Sequence, residues 1–135
     1  MDDLVQWLRA QLDKDREIAI AAKRQIGDDW DIGDEPYGFI LSDGDTVAYY
    51  EEAGGHSAMC RAAAVHAAEH DPARVLREID TKRRMIDTFT SRYEASNASS
   101  TSTATGAHWV MLADTLRLLA LPYAGRPGYR AEWRP

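Results

Sequence analysis

Apolar residues in the first part of the chain recur at steps of three and four, which is the spacing of one face of a helix. The stripe consists of Leu4, Leu8, Leu12, Ile18, Ala19 and Ala22. Asp2 or Asp3 can cap the start of this helix, where acidic side chains also suit the helix dipole. Gly27 follows the last turn, and glycine is a frequent residue just after a helix ends. The pattern therefore predicts a first helix that ends before Gly27.

The next segment is rich in aromatic and β-branched residues, which are typical of strands. An Asp43-Gly44 turn separates residues 39–41 from residues 46–50, and Asp-Gly is a frequent hairpin turn. Residues 29–33 could add a further strand. We therefore predict a small antiparallel β-hairpin or three-stranded sheet in this part of the chain.

The second half of the chain predicts three more helices. An alanine-rich segment over 56–70 forms the first of them. Asp71-Pro72 then restarts the helix, with Asp as the cap and Pro in the first turn, and the restarted helix runs to about Tyr93. A last helix over 108–120 carries four apolar residues at helical steps, namely Trp109, Leu112, Leu116 and Leu119.

Two segments lack a regular apolar pattern. Residues 95–106 are a run of small and polar residues that cannot bury enough apolar surface to offset ordering, so we expect a mobile loop there. The C-terminal tail alternates Tyr129 and Trp133 with arginines, and we expect its rings to pack on the helical core. The whole pattern predicts an α+β fold, with about four helices and the small sheet, in a single domain over residues 1–135.

Composition limits the setting in which the protein works. The chain has 135 residues and a formal net charge of −6. No apolar stretch approaches the roughly 20 residues that a bilayer requires, and no signal peptide is recognisable at the start. The single cysteine, Cys60, cannot form an internal disulfide. We therefore expect a cytoplasmic protein without a membrane segment. The acidic balance also argues against a nucleic-acid binder, which gains affinity by neutralising phosphates.

One local pattern has the chemistry of a metal site. His66 and His70 are four residues apart and so share a helix face, with Glu69 beside them. The spelling H-x-x-E-H matches an inverted zinc-protease motif, in which two imidazoles hold zinc and the carboxylate activates a bound water. No motif further along marks a third ligand. We therefore expect no cofactor, and keep zinc at His66 and His70, with Glu69 as the catalytic base, as the alternative.

Basic residues on the long predicted helix form the candidate binding surface. Arg74, Arg77 and Arg84 lie roughly on one helical face. They could grip phosphates or an acidic partner, because a guanidinium binds carboxylate and phosphate through paired hydrogen bonds. The alternative is internal pairing with acids such as Glu78. A nucleic-acid binder that uses this basic helix is a further alternative.

Three stretches of the chain carry a family resemblance. They are the opening Asp3-Leu4-Val5 to Trp7-Leu8, the central EHDPARVLRE that begins at Glu69, and LRLLALPYA from Leu116 with the terminal EWRP. With these motifs the chain resembles domain-of-unknown-function family 6221, a family of small actinobacterial and actinophage proteins, over nearly its full length. The resemblance implies no known reaction. Carriage by phages implies an accessory role.

One departure from the family pattern bears on metal binding. Relatives often place Cys and His residues between the long helix and the terminal helix, which would suggest a metal clip there. This chain has the Ser/Thr-rich run over 95–106 instead, so the clip is expected to be absent.

No set of residues in the sequence makes a convincing catalytic site. The leading interpretation is therefore a non-enzymatic protein-interaction or regulatory module, which binds a protein partner or a second copy of itself. The edge of the predicted hairpin and the basic face of the long helix are its candidate contact surfaces. A metal-dependent hydrolase at the H-x-x-E-H helix is the alternative.

Overall fold

A computed structural model describes residues 1–32, 39–42, 45–49, 61–98 and 106–135. Four helices account for most of these residues: α1 (Asp2–Ile26), α2 (Arg61–Glu69), α3 (Pro72–Ala98) and α4 (Gly106–Ala120). Two short 3-10 helices follow α4, at Leu121–Tyr123 and Ala131–Trp133. Three short strands pair antiparallel in the order β1-β2-β3: β1 (Trp30–Ile32), β2 (Phe39–Ser42) and β3 (Asp45–Tyr49).

The α+β class predicted from the sequence is wrong, because the protein is mainly helical. Among the residues whose side chains are described, about 81% are helical and β1 is the only strand. The side chains of β2 and β3 lie outside that set. β2 has four residues and β3 has five. The backbone of β2 pairs with β1 on one side and with β3 on the other. Every buried apolar side chain in the described part lies on a helix or a 3-10 turn. Short strands offer few side chains to one face, so the helices supply the core.

The end of α1 and the start of α3 follow local signals in the sequence, whereas α3 runs past its predicted end at about Tyr93. α1 ends at Ile26, and Gly27 follows it with a φ of 78°. α3 begins at Pro72 and continues to Ala98, so the first residues of the predicted loop over 95–106 are helical. Residues 99–105 of that loop lie outside the described residues, as do 56–60 of the alanine-rich segment and the Asp43-Gly44 turn. Within the described residues, no helix is both long and apolar enough to cross a bilayer.

The chain forms two compact units. Unit 1 consists of residues 1–14 and 79–135, and unit 2 consists of residues 15–78. Both boundaries fall inside helices, within α1 and within α3. The single domain over 1–135 stays a prediction.

Unit 1 contains the largest fully buried side chains, Leu4, Leu8, Leu12, Ile79, Ile86 and Leu116. The start of α1 runs beside α3 in the antiparallel sense, as two ion pairs show. Arg9 Nη2 donates to Asp87 Oδ1 at 2.8 Å, and Arg83 pairs with Asp13 one turn further along α1. Both ion pairs are partly exposed, so they contribute little to the free energy of unfolding. Most of the stabilisation between α1 and α3 comes from their buried apolar side chains.

The aromatic tail packs on α1 within unit 1. The Trp7 ring centroid lies 5.6 Å from that of Tyr129 and 5.3 Å from that of Trp133, in tilted and edge-on arrangements that aromatic pairs prefer. Trp7 Nε1 donates to the Pro127 carbonyl oxygen at 3.1 Å. Gly128 permits this approach, because it has a φ of 85° and a Cβ there would lie 2.9 Å from Trp7 Nε1.

Unit 2 is organised by the cap at the start of α3. The Asp71 side chain is buried, and its Oδ1 accepts a hydrogen bond from the Arg74 backbone N–H at 2.6 Å. Its Oδ2 accepts from the Trp30 N–H at 3.5 Å, which ties β1 to the same cap. Trp30 and Ile32 in turn pack around Ala64 of α2. One carboxylate therefore joins a strand to a helix start.

Substituting Gly128→Ala is expected to lower the free energy of unfolding by about 2 kcal/mol, because alanine is strained at positive φ and its Cβ meets the Trp7 indole. Urea unfolding followed by tryptophan fluorescence measures the change. Gly125→Ala is the matched control, since nothing lies within 4 Å of a Cβ at Gly125. If Gly125→Ala lowers the free energy of unfolding as much as Gly128→Ala does, the proposed contact between Gly128 and Trp7 is contradicted.

Substituting Asp71→Ala is expected to lower the free energy of unfolding by about 1–2 kcal/mol, because α3 loses its cap and the Trp30 N–H loses an acceptor. Asp71→Asn keeps one acceptor oxygen, so its free energy of unfolding should fall by less. Asp80→Ala, at an exposed acid of the same helix, is the control and should change stability by less than about 0.5 kcal/mol. Equal losses for Asp71→Ala and Asp80→Ala in urea unfolding would refute the capping role.

Candidate functional site

Arg74, the first of the predicted binding residues, is held by partners within unit 2. Its Nη1 donates to the Glu69 carbonyl oxygen at 2.6 Å and to Glu69 Oε2 at 3.3 Å. Its Nε donates to Glu78 Oε1 at 3.2 Å, one helical turn further along α3. The guanidinium therefore joins the end of α2 to the start of α3, and most of its donors are already used.

Arg77 lies in a cleft that contains charges of both signs. The cleft has a volume of about 240 Å³ and is lined by Trp30, Asp31, Ile32, Val65, Ala68, Glu69, Asp71, Arg74 and Arg77. The Lys23 ammonium, hydrogen-bonded to the Asp28 carboxylate, lowers the pKa of that carboxyl, and the charge of Arg77 adds to the effect. Arg77 is thus close enough to Asp28, in the same unit, to contribute to the lowered pKa of its carboxyl. The cleft is close to charge balance and is no basic patch.

Arg84 lies in a different place, on an apolar groove of unit 1. The groove has a volume of about 330 Å³ and is lined by Thr81, Arg84, Met85, Thr88 and Phe89 of α3 and by Leu112, Thr115, Leu116 and Leu119 of α4. Phe89 and Leu116 are buried and form its floor, while Met85 is partly exposed on its wall. Within the described residues, the Arg84 guanidinium has no hydrogen bond or ion pair. This groove is the candidate binding site.

The three predicted arginines are therefore not brought together. Arg74 and Arg77 line the mixed-charge cleft of unit 2, whereas Arg84 lines the groove of unit 1. The helical period places them on a shared face but does not reveal that Glu69 and Glu78 already bind Arg74. Sequence reasoning named Arg84 as a candidate and did not find the groove beside it.

Arg92 is a further candidate that the sequence analysis did not name. Arg92 is exposed and lies on α3, one turn beyond Thr88 and eight residues beyond Arg84. At 100° per residue, Arg92 stands at an angle between those of Thr88 and Met85, which both line the groove. The available signal was the repeat Arg84, Thr88, Arg92 at steps of four.

The H-x-x-E-H residues lie on and after the last turn of α2. The rings of His66 and His70 are 4.2 Å apart between centroids, and His70 Nδ1–H donates to the His66 carbonyl oxygen at 2.8 Å. The Glu69 carboxylate accepts from Arg74. In the part of the chain that is described, no three His, Cys, Asp or Glu side chains come together to hold a metal. The expectation of no cofactor stays a prediction, and zinc at His66 and His70, with Glu69 as the base, stays its alternative.

Comparison with known proteins assigns the chain to a family but does not indicate an activity. Searches of curated proteins and of solved structures found no match. The sequence model of one family, described as a family of unknown function, matches residues 1–135, the whole chain. The resemblance seen in the opening, central and terminal motifs is thereby confirmed. The chain belongs to the family of unknown function DUF6221.

Proposed function

We propose that the protein is a non-enzymatic interaction module that holds an acidic amphipathic helix of a partner protein in the α3–α4 groove. The observation that carries the proposal is an apolar groove with Arg84 on its wall, whose guanidinium has no hydrogen bond or ion pair among the described residues. An amphipathic helix that places its apolar face in such a groove is a recurring mode of peptide recognition.

The floor of the groove supports an apolar ligand face. Phe89 and Leu116 form the bottom, and Leu112 and Leu119 border it along α4. Met85 lies on the opposite wall and is 43% exposed. Methionine is flexible and polarisable, so this wall can adapt to apolar side chains spaced three and four residues apart on the ligand.

The charges of Arg84 on the wall and of Arg92, one turn beyond the lining residue Thr88, support an acidic ligand. Arg84 and Arg92 are separated by eight residues of helix, which span about 12 Å. Two acidic residues about two turns apart on the bound helix would match them. Two neighbouring acids are paired with other arginines, Asp87 with Arg9 and Asp114 with Arg117. Exposed charges of this kind act mainly on specificity and on the association rate.

The chemistry of the lining supports binding rather than catalysis. The groove presents aliphatic, aromatic and threonine side chains together with Arg84, and in the described part of the chain none of its lining residues is a carboxylate, imidazole or thiol. General acid–base catalysis most often uses such groups, and a threonine hydroxyl needs an adjacent base to act as a nucleophile. We therefore keep the interaction function of the sequence analysis and propose Arg84 as part of its binding surface.

Binding to two synthetic probes tests the proposal. Both are fluorescently labelled 16-residue amphipathic helices with the same leucine stripe, one flanked by glutamates and the other by lysines. Fluorescence anisotropy is expected to show that the acidic peptide binds at least tenfold more tightly than the basic one. Arg84→Glu with Arg92→Glu should reverse this preference.

The control keeps the change in total charge and moves it away from the groove. Arg16→Glu with Arg134→Glu, at two exposed arginines, should leave the affinity for the acidic peptide within twofold. Met85→Glu should weaken binding of the acidic peptide, because it places a charge on the apolar wall. Failure of the acidic peptide to bind, or equal losses in both double variants, would overturn the proposal.

A further inference from the structure

A second apolar pocket lies in unit 2, where α1, β1 and the start of α3 meet. It has a volume of about 270 Å³. Its apolar lining consists of Ile18, Ala19, Ala22, Trp30, Pro72 and Val75. Two polar residues, Asp15 and His70, complete it. Ile18 is 68% exposed, so apolar surface at this pocket is open to a ligand from solvent.

We propose that this pocket binds a small arylalkyl amine, with the ring of the amine against the apolar lining and its ammonium group at Asp15. The pocket belongs to unit 2 and the groove to unit 1, so the inference does not depend on the proposed function. Three properties of the pocket select a hydrophobic cation as the occupant.

The first property is the position of Asp15 in the apolar stripe of α1. Steps of four, three, four and three residues lead from Leu8 through Leu12 and Asp15 to Ala19 and Ala22. Leu12 and Ala19 are buried, and Asp15 between them is half-buried. A carboxylate at such a position is stabilised when hydrogen-bond donors or a positive charge reach it. Asp15 already interacts within the protein, but a carboxylate has about four acceptor positions, so it can also accept from an ammonium group.

The second property is that both polar side chains in the lining accept hydrogen bonds from a ligand. His70 Nδ1–H donates to the His66 carbonyl oxygen at 2.8 Å, so Nε2 of the neutral ring is the acceptor. The Asp15 carboxylate is an acceptor as well. Among the described residues that line the pocket there is no lysine or arginine. The lining therefore favours a ligand with N–H donors and a positive charge over an anion.

The third property is the electrostatic setting of the pocket. Residues 15–78, which form unit 2, include 14 acidic and 6 basic residues, a net charge of −8. Unit 1 includes 8 acidic and 10 basic residues, a net charge of +2. The field of unit 2 raises the local concentration of cations. Trp30 adds an indole ring, and the face of an indole attracts an ammonium group.

Three probes of similar shape test the class of ligand. Phenethylamine, 2-phenylethanol and 3-phenylpropanoate each have one phenyl ring and end in an ammonium, a hydroxyl and a carboxylate group. Ligand-observed NMR titrations of the full chain are expected to give a dissociation constant for phenethylamine at least about fivefold below that of the alcohol, because only the amine carries the charge that Asp15 attracts. The carboxylate probe should bind more weakly than the alcohol.

A change of charge locates the ammonium group. Asp15→Asn should raise the dissociation constant of phenethylamine at least about fivefold and change that of 2-phenylethanol less than twofold, because it removes the charge and keeps the shape. Glu17→Gln is the matched control, since Glu17 is an exposed acid of the same helix outside the lining. It should leave both dissociation constants within twofold.

A change of volume locates the ring. Ala22→Leu adds apolar volume inside the pocket and should weaken the binding of both the amine and the alcohol at least fivefold. Ala21→Leu, at the exposed neighbouring position outside the lining, should leave both within twofold. Far-UV circular dichroism checks that all four variants keep their helices. Phenethylamine that does not bind, an alcohol that binds as tightly, or a control variant that loses as much affinity as its matched variant would overturn the inference.

Discussion

A helix can bury only one side against its own unit, and the apolar residues of α1 and α4 extend beyond that side. On α4, Leu116 and Ala120 fill the side that is buried in unit 1, and the edge of that side forms the groove with α3. On α1, Ala19 is buried, and Ile18 and Ala22 near it line the pocket of unit 2. Both proposed sites follow from this excess of apolar residues, because exposed apolar area is stabilised when a ligand removes it from water.

Charge then separates the two sites. Arg74 is bound by Glu69 and Glu78 and serves the fold, whereas Arg84 has no partner in the described residues and stands beside an apolar floor. The pocket of unit 2 has Asp15 in its lining and belongs to the more acidic unit. An acidic ligand therefore suits the groove, and a cationic ligand suits the pocket. In this account the two units bind ligands of opposite charge.

Local signals in the sequence predicted the end of α1 and the start of α3, because each depends on a few neighbouring residues, whereas α3 continues to Ala98, past its predicted end at about Tyr93. Gly27 after α1 and Asp71 before α3 are such cases, and the motif-based resemblance to the family was confirmed. The fold class was wrong because residue types typical of strands indicated a sheet as a main element, although helices supply the buried core. Arg84 was predicted as a binding residue, but the groove beside it was not. It depends on how α3 and α4 lie together, which apolar spacing alone does not give.

The central claim is that the two units bind ligands of opposite charge at separate sites. NMR of protein labelled at its methionine methyl and tryptophan indole groups tests it most directly, because Met85 lies on the groove wall and Trp30 lines the pocket. The account predicts that phenethylamine shifts the Trp30 indole signal and leaves the Met85 methyl signal unchanged, while the acidic peptide shifts Met85 and leaves Trp30 unchanged. Signals that stay fixed in both titrations, or that move together in both, would contradict the claim.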